Sequence, residues 1–300
     1  REDLAPARGC TALGAAAAMQ APATRFRKGI SSLIFPSAMP VEDYFAAARD
    51  AGFEGVEIPL GQTIPIDAAP DRLARIAEAA AKAKSTVISL WMSQPLSANP
   101  LNSPDPALRA KGVETLKRGV DICRALNCDA LLVVPGRLGS GGHLNIGYED
   151  TWNRVTASLR EAIPHAAQRK VAITPENVWN KFLVSPLEMR SFVDQFHSPY
   201  LQTHFDVGNI MQYGFPQDWI ATLGPRIRRV HLKDYKLSAR AEQGRFVPLL
   251  EGDVDWKAVM AAFVKAGYQG WMSPEYDYDA NDPGQIRRIS AAVDRIFALA

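Results

Sequence analysis

Residues 171–176 read VAITPE: an apolar run rich in strand-forming residues that ends on a carboxylate. Three later segments share this design. LQTHFD ends at Asp206, IRRVH at His231 and GWMSPE at Glu275. Each has the length of a strand, and each puts a metal-binding side chain where a strand gives way to a loop. Three carboxylates and one imidazole form a hard, mixed O/N donor set. One divalent ion is therefore expected, Mn²⁺ first, with Mg²⁺, Co²⁺ or Zn²⁺ also compatible. A single residue of this kind would say little. Four in the same strand position predict that the strands are neighbours in one parallel barrel, with the side chains converging at its C-terminal mouth.

Outward from these segments, strands and amphipathic helices alternate from Lys28 onward. Strands are expected at 29–35, 55–58, 86–92, 130–134, 171–175, 201–205, 227–232 and 270–274. The run 130–134 is almost wholly apolar, as suits a parallel strand buried on both faces. Asp105-Pro106 reads as an N-cap and first-turn pair, and Ser185-Pro186-Leu187-Glu188 as a capping box. Segments 93–104 and 237–252 read as loops. The Gly-rich stretch 136–147 reads as a flexible lid, with phosphate cradling by its free N–H groups as the competing role. Eight strand–helix pairs in order predict an α/β fold, a single (β/α)₈ TIM barrel over residues 26–300. A doubly wound sheet would show a Gly-rich turn after the first strand, where this chain has Phe35-Pro36-Ser37.

Composition narrows the function. The 300 residues are 47% hydrophobic and 22% charged with a net charge of +2, an ordinary globular balance that offers no basic field for nucleic acid. No apolar run is long enough to span a membrane. Three cysteines, Cys10, Cys123 and Cys128, are too few for a disulfide framework, and Cys123 falls on a helical apolar stripe. Residues 1–25 stand apart. Ala12 to Met19 follows two arginines, and Ala21-Pro22-Ala23 resembles a signal cleavage site. The segment reads either as an export-signal remnant or as a disordered tail, so both a cytoplasmic and a periplasmic location stay open.

The strand ends suggest further roles. On a strand His204 and Asp206 point the same way, so His204 lies beneath the ligands and is expected either to orient one of them or to be a satisfied histidine of the barrel interior. Lys233 shares a face with His231. Glu176 and Glu275 end strands on roughly opposite sides of the barrel. They can therefore flank one substrate carbon and exchange a proton across it. Glu57 ends the second strand and is expected either to bind a substrate hydroxyl or to pair within a barrel layer. Trp91 and Trp179 are candidates for an apolar wall against a sugar face.

The chain resembles the sugar phosphate isomerase/epimerase family, the xylose-isomerase-like barrels. The resemblance rests on GFEGVE (52–57), PEN (175–177), FDVGN (205–209), VHLKD (230–234), EGDVDW (251–256) and GYQGW (267–271) leading to Glu275. It is nearest to the branch of ketose 3-epimerases and hexulose-phosphate isomerases. It implies that Glu176, Asp206, His231 and Glu275 hold the metal, that Glu176 and Glu275 are the acid–base pair, and that a ketose is epimerised at C3 through a cis-enediolate. The implied partner is a small sugar or sugar phosphate, with homo-oligomerisation left open. Free-ketose members carry a substrate-contacting His where this chain has Asn209, and a Glu where it has Phe182. Both departures weigh against a simple free ketose. Asn180, Lys181, Asn209, Lys233 and Lys236 are the remaining candidate substrate contacts. A lyase or dehydratase acting on a keto-sugar or 3-keto-glycoside is the alternative with the same site. A non-catalytic sugar-binding barrel and cleavage at abasic DNA are weaker ones.

Overall fold

A computed structural model describes residues 26–138, 146–240 and 243–300. The export-signal reading of 1–25 and most of the Gly-rich stretch lie outside them. Eight parallel strands form the sheet: β1 (Arg27–Ser31), β2 (Gly55–Pro59), β3 (Thr86–Trp91), β4 (Ala130–Val133), β5 (Ala172–Pro175), β6 (Thr203–Asp206), β7 (Ile227–Leu232) and β10 (Trp271–Pro274). Their order is β5-β4-β3-β2-β1-β10-β7-β6. Parallel bridges Ile173–Leu201 and Glu176–His204 join the two ends, so the sheet closes into a TIM barrel. Helices α1 (Val41–Asp50), α2 (Pro70–Lys82), α3 (Ser93–Ala98), α4 (Pro106–Ala125), α5 (Tyr148–Arg169), α6 (Pro186–Asp194), α7 (Pro216–Leu223), α8 (Trp256–Lys265) and α9 (Gln285–Phe297) complete the chain.

Local chemistry sets the element ends. The Asp105 carboxylate accepts from Ala107 N at 2.8 Å, and Ser185 Oγ from Glu188 N at 3.2 Å, so both caps operate. The first strand is shorter than its apolar run. It stops at Ser31, whose hydroxyl caps a 3₁₀ turn over Ser32–Ile34. Two stretches expected as loops carry structure. Segment 93–104 contains α3. Segment 237–252 contains half of a hairpin, in which β8 (Asp234–Lys236) pairs antiparallel with β9 (Arg245–Val247). Three-residue strands are too short to show a period in the sequence, and their pairing is fixed by the Tyr235–Phe246 contact across the ladder.

The strands separate two cores. Outward-facing Phe205 packs on Trp219 and Phe263 of the helical layer. Inside, Gly29 and Gly55 make room for Ile88, since a Cβ at either would lie within 2.5 Å of that side chain. At the N-terminal end of the barrel Arg229 donates to Ile88 O at 2.9 Å and pairs with Asp129. The seam between β5 and β6 has few ladder bonds, and Asn177 reinforces it. Its amide donates to Asp206 O at 2.8 Å and accepts from Asp206 N at 2.9 Å. One side chain thus stands in for a stretch of missing strand pairing, directly beside two of the expected ligands.

The EGDVDW stretch is held by Asp234, which is buried. Its carboxylate accepts from Tyr235 N, Leu250 N, Val254 N and Trp256 Nε1 at 2.8–3.3 Å. Gly252 lies against it, and a Cβ there would stand 2.0 Å from Asp234 Oδ1 and 2.8 Å from Tyr235 N. Gly252→Ala is expected to cost about 1–3 kcal/mol, read as a lowered urea midpoint at unchanged slope, because the pinned carboxylate cannot retreat.

Candidate metal centre

The four strand-end residues meet at the C-terminal mouth. One ligand atom each from Glu176, Asp206, His231 and Glu275 lies within 4.8 Å of every other. Ligands about 2.0–2.2 Å from a common ion stand at most about 4.4 Å apart, so the set needs only slight contraction to hold one. His231 Nδ1 is 2.9 Å from Glu176 Oε1, 3.5 Å from Glu275 Oε2 and 3.8 Å from Asp206 Oδ2. Asp206 Oδ2 is buried and accepts no hydrogen bond. Lys233 Nζ lies 3.0 Å from it and also pairs with Glu275. The ammonium therefore supplies positive charge where three carboxylates converge. Three carboxylates converging on a site that one ammonium only partly neutralises fit a cation, and the O/N donors suit a divalent one. The chemistry of the set does not choose among Mn²⁺, Mg²⁺, Co²⁺ and Zn²⁺.

Beneath the ligands lies a second polar layer. Glu57, with 0% exposure, faces His231 Nε2 at 2.7 Å through Oε2. Its Oε1 accepts from Ser273 Oγ at 3.3 Å and lies 3.7 Å from His204 Nε2. Glu57 thereby holds the His231 ring and directs Nδ1 toward the ligands. Of the two roles the sequence leaves open for Glu57, its burial beneath His231 fits pairing within the barrel interior. His204 is fully buried, 4.1 Å from the His231 ring between centroids, with neither ring nitrogen hydrogen-bonded.

Electrostatics follow from this layering. Burial opposes charge on His231, but Glu57, Glu275 and Glu176 outweigh it and hold its pKa well above the ordinary value. Burial, assisted by the charge of His231, pushes His204 well below its ordinary value and keeps it neutral. The two glutamates diverge. Burial raises Glu176, with Glu275 adding to the rise against the opposing His231. Burial acts the same way on Glu275, yet His231 and Lys233 overcome it and lower its pKa. Lys233 is raised because Asp206, Glu275 and Glu176 outweigh its burial.

The expected substrate contacts divide. Lys233 reaches the site. A cleft of about 270 Å³ opens from it, with Lys233, Asp234, Glu275 and Asp277 among its polar groups and Leu33, Phe246, Val247 and Tyr276 as its apolar wall. Trp179 is 44% exposed, stacks on Phe246 with centroids 5.2 Å apart, and donates through Nε1 to Asn209 O at 2.9 Å. Asn209 is engaged in the fold. Its N–H donates to Asp206 Oδ1 at 2.8 Å and its amide to Asn177 O at 3.0 Å. Asn180 braces a loop, donating to Gly136 O at 2.6 Å and accepting from Phe182 N. Lys236 turns to Asp253 at 2.5 Å. Lys181 borders a separate 140 Å³ cavity with Leu183, Tyr213 and Trp219. Asn180 and Lys236 are thus engaged in the fold, and Lys181 is not among the residues lining the cleft. Phe182 is buried among Tyr148, Trp152 and Phe192. Sequence reasoning missed the bracing role of Asn177, whose signal was its place directly after Glu176. It also missed the cleft wall of Phe246 and Tyr276, which the sequence does not mark.

A family model described as "Xylose isomerase-like TIM barrel" matches residues 45–295. Among curated proteins, the chain is similar to L-ribulose-5-phosphate 3-epimerase of Escherichia coli O1:K1 / APEC, with 24% identity over 248 residues covering 79% of this chain and 82% of that protein. Among solved structures it is similar to D-psicose 3-epimerase from Clostridium cellulolyticum H10, with a TM-score of 0.78 and 17% identity over 91% of this chain and 99% of that one. A xylose isomerase-like TIM barrel protein from Mycobacterium smegmatis in complex with magnesium superposes with a TM-score of 0.70 and 15% identity, covering 91% and 96% of the two chains.

Two expectations test the layering. Glu57→Gln weakens divalent-ion binding about 10–100-fold in a calorimetric titration, since it replaces the charged acceptor that orients His231 with a neutral amide. Without ion, stability falls as the pH drops below about 6.5, the ordinary imidazole value, because the unfolded chain takes up a proton that His204 refuses. His231, raised above that value, is protonated in both states there and adds no slope. The limiting slope is about 1.4 kcal/mol per pH unit, and denaturant titrations in chelator should show His204→Gln flattening it.

Proposed function

The chain belongs to the xylose isomerase-like TIM barrel family, and we propose that it is a divalent-metal-dependent epimerase that moves a proton at C3 of a ketose. The observation that carries this reading is the convergence of Glu176, Asp206, His231 and Glu275 within 4.8 Å at one barrel mouth. The curated relative supports it, being named as a 3-epimerase of L-ribulose 5-phosphate.

A divalent ion held by these four residues would polarise the carbonyl of a bound ketose and offset the negative charge that develops there. The remaining work falls to the side chains. Glu176 and Glu275 reach the site from different strands, so one carboxylate takes the C3 proton and the other, as the acid, returns one to the opposite face of a cis-enediolate. Their environments displace the two pKa values in opposite directions, Glu176 upward and Glu275 downward, which suits a pair that must hold opposite protonation states. Glu57 keeps the His231 ring oriented from below. Lys233, 3.0 Å from Asp206, stands where it can donate to a substrate oxygen. The buried layer of His204 and Glu57 keeps bulk water from the underside of the site.

The test is incubation with ketoses in D₂O. An intact sugar carrying deuterium at C3 is the expected product, whereas release of water or an aglycone would assign the site to elimination instead. Glu176→Gln and Glu275→Gln should each lower kcat about 10²–10⁴-fold while the far-ultraviolet circular dichroism is preserved. Near-wild-type turnover in either variant would sink the acid–base pairing.

A further inference from the structure

We propose that Cys123 and Cys128 are a disulfide-forming pair, which closes into one intramolecular bridge while the chain folds in the presence of a disulfide oxidant and is then sealed by the finished barrel. The inference does not depend on the epimerase reading. It starts from the end of α4. Leu126 caps that helix, and the chain leaves it through Asn127, whose φ of 54° is left-handed. Cys128 N donates to Cys123 O at 2.8 Å, and Asn127 N donates to Arg124 O at 3.1 Å. These two bonds make a Schellman motif, which sets the side chain two residues past the cap against the one three residues before it. In most such motifs both are apolar. Here both are thiols.

The backbone brings the two residues within bridging range. With ordinary bond lengths, the 2.8 Å bond from Cys128 N to Cys123 O keeps the two Cα atoms within about 6.7 Å of each other, inside the span a disulfide closes. Both S–H groups turn to one acceptor, with Cys128 Sγ 3.3 Å and Cys123 Sγ 3.6 Å from Ala130 O. The side chains therefore point to the same place. They are also shut off from solvent, Cys123 being 0% and Cys128 3% exposed. Burial pushes the Cys123 thiol well up, and the Cys128 thiol beside it adds to the rise. A buried, protonated thiol is a poor nucleophile, so exchange belongs to the stage before this turn packs. One cysteine thiolate then attacks a sulfur of the oxidant's disulfide and expels half of the oxidant as a thiolate. The second cysteine attacks the first and expels the other half. Two S–H bonds are lost, one S–S bond forms, and the oxidant is reduced to two thiols. The bridge ties α4 to the segment carrying Asp129, which pairs with Arg228 and Arg229 at the N-terminal end of the barrel. It stiffens the end of the barrel opposite the metal ligands.

The experiment uses the full chain carrying Cys10→Ser, so that this pair holds the remaining thiols. The reduced, urea-unfolded protein is refolded in oxidised or in reduced glutathione, and free thiols are alkylated before digestion with trypsin. Cleavage after Arg124 places the two cysteines in separate peptides, 119–124 and 125–137. After oxidative refolding these should appear as one disulfide-linked species without alkylation, and after reductive refolding as two alkylated peptides. The bridged protein should have the higher urea midpoint, equivalent to about 10–100-fold in the folded-to-unfolded ratio, as a short closed loop predicts. Cys128→Ala should abolish the difference between the two buffers. Native reduced protein placed in oxidised glutathione should form the bridge at least about 10-fold more slowly than refolding protein. Two alkylated cysteines or lasting glutathione adducts after oxidative refolding overturn the inference. So does a bridged form with a lowered urea midpoint, or a native protein that oxidises as fast as the unfolded chain.

Discussion

Four buried or nearly buried carboxylates, Glu57, Glu176, Asp206 and Glu275, crowd around one imidazole, and the mouth of this barrel is organised by the need to compensate them. Uncompensated charge in such a setting is prohibitive. His231 answers on two sides, with Nε2 at Glu57 and Nδ1 at Glu176. Lys233 covers Asp206 and Glu275. The neighbouring His204 must then stay neutral, which its burial and the charge of His231 enforce. The same donor set fits a divalent ion once His231 gives up its Nδ1 proton to ligation.

Support for this cluster comes from groups that carry no chemistry. Asn177 ties the carbonyl and amide of Asp206 to the end of β5 across the weakest seam of the barrel. Asn209 completes the tie from the other side. Asp234 anchors the stretch that follows the hairpin, and the hairpin carries Phe246 to the edge of the cleft. The candidate site is thus held on strand ends, while part of the cleft wall is held on connecting segments.

Much of this was legible in the chain. The repeat of a strand-like run ending in a ligand marked Glu176, Asp206, His231 and Glu275, because a parallel barrel gathers strand ends at one mouth whatever the loops do. Strand alternation placed His204 beneath Asp206, since side chains two apart share a face. Other residues were not legible. Glu57 reads equally as a mouth residue and as a member of a barrel layer, and only the folded barrel shows its carboxylate buried against His231 and Ser273. Asn180 and Lys236 read as free polar groups, and only the folded loops show them bound to Gly136 O and Asp253.

The sequence alone therefore determined the barrel and its four converging ligands, because both follow from periodicities of two and of about 3.6 residues that local physics imposes on each element. The tertiary structure alone decided which polar groups are spent on the fold and which remain for a substrate. It also stacked Phe246 on Trp179, residues 67 positions apart, through a hairpin of three-residue strands. Contacts of that kind depend on register and loop path, which no window of sequence encodes.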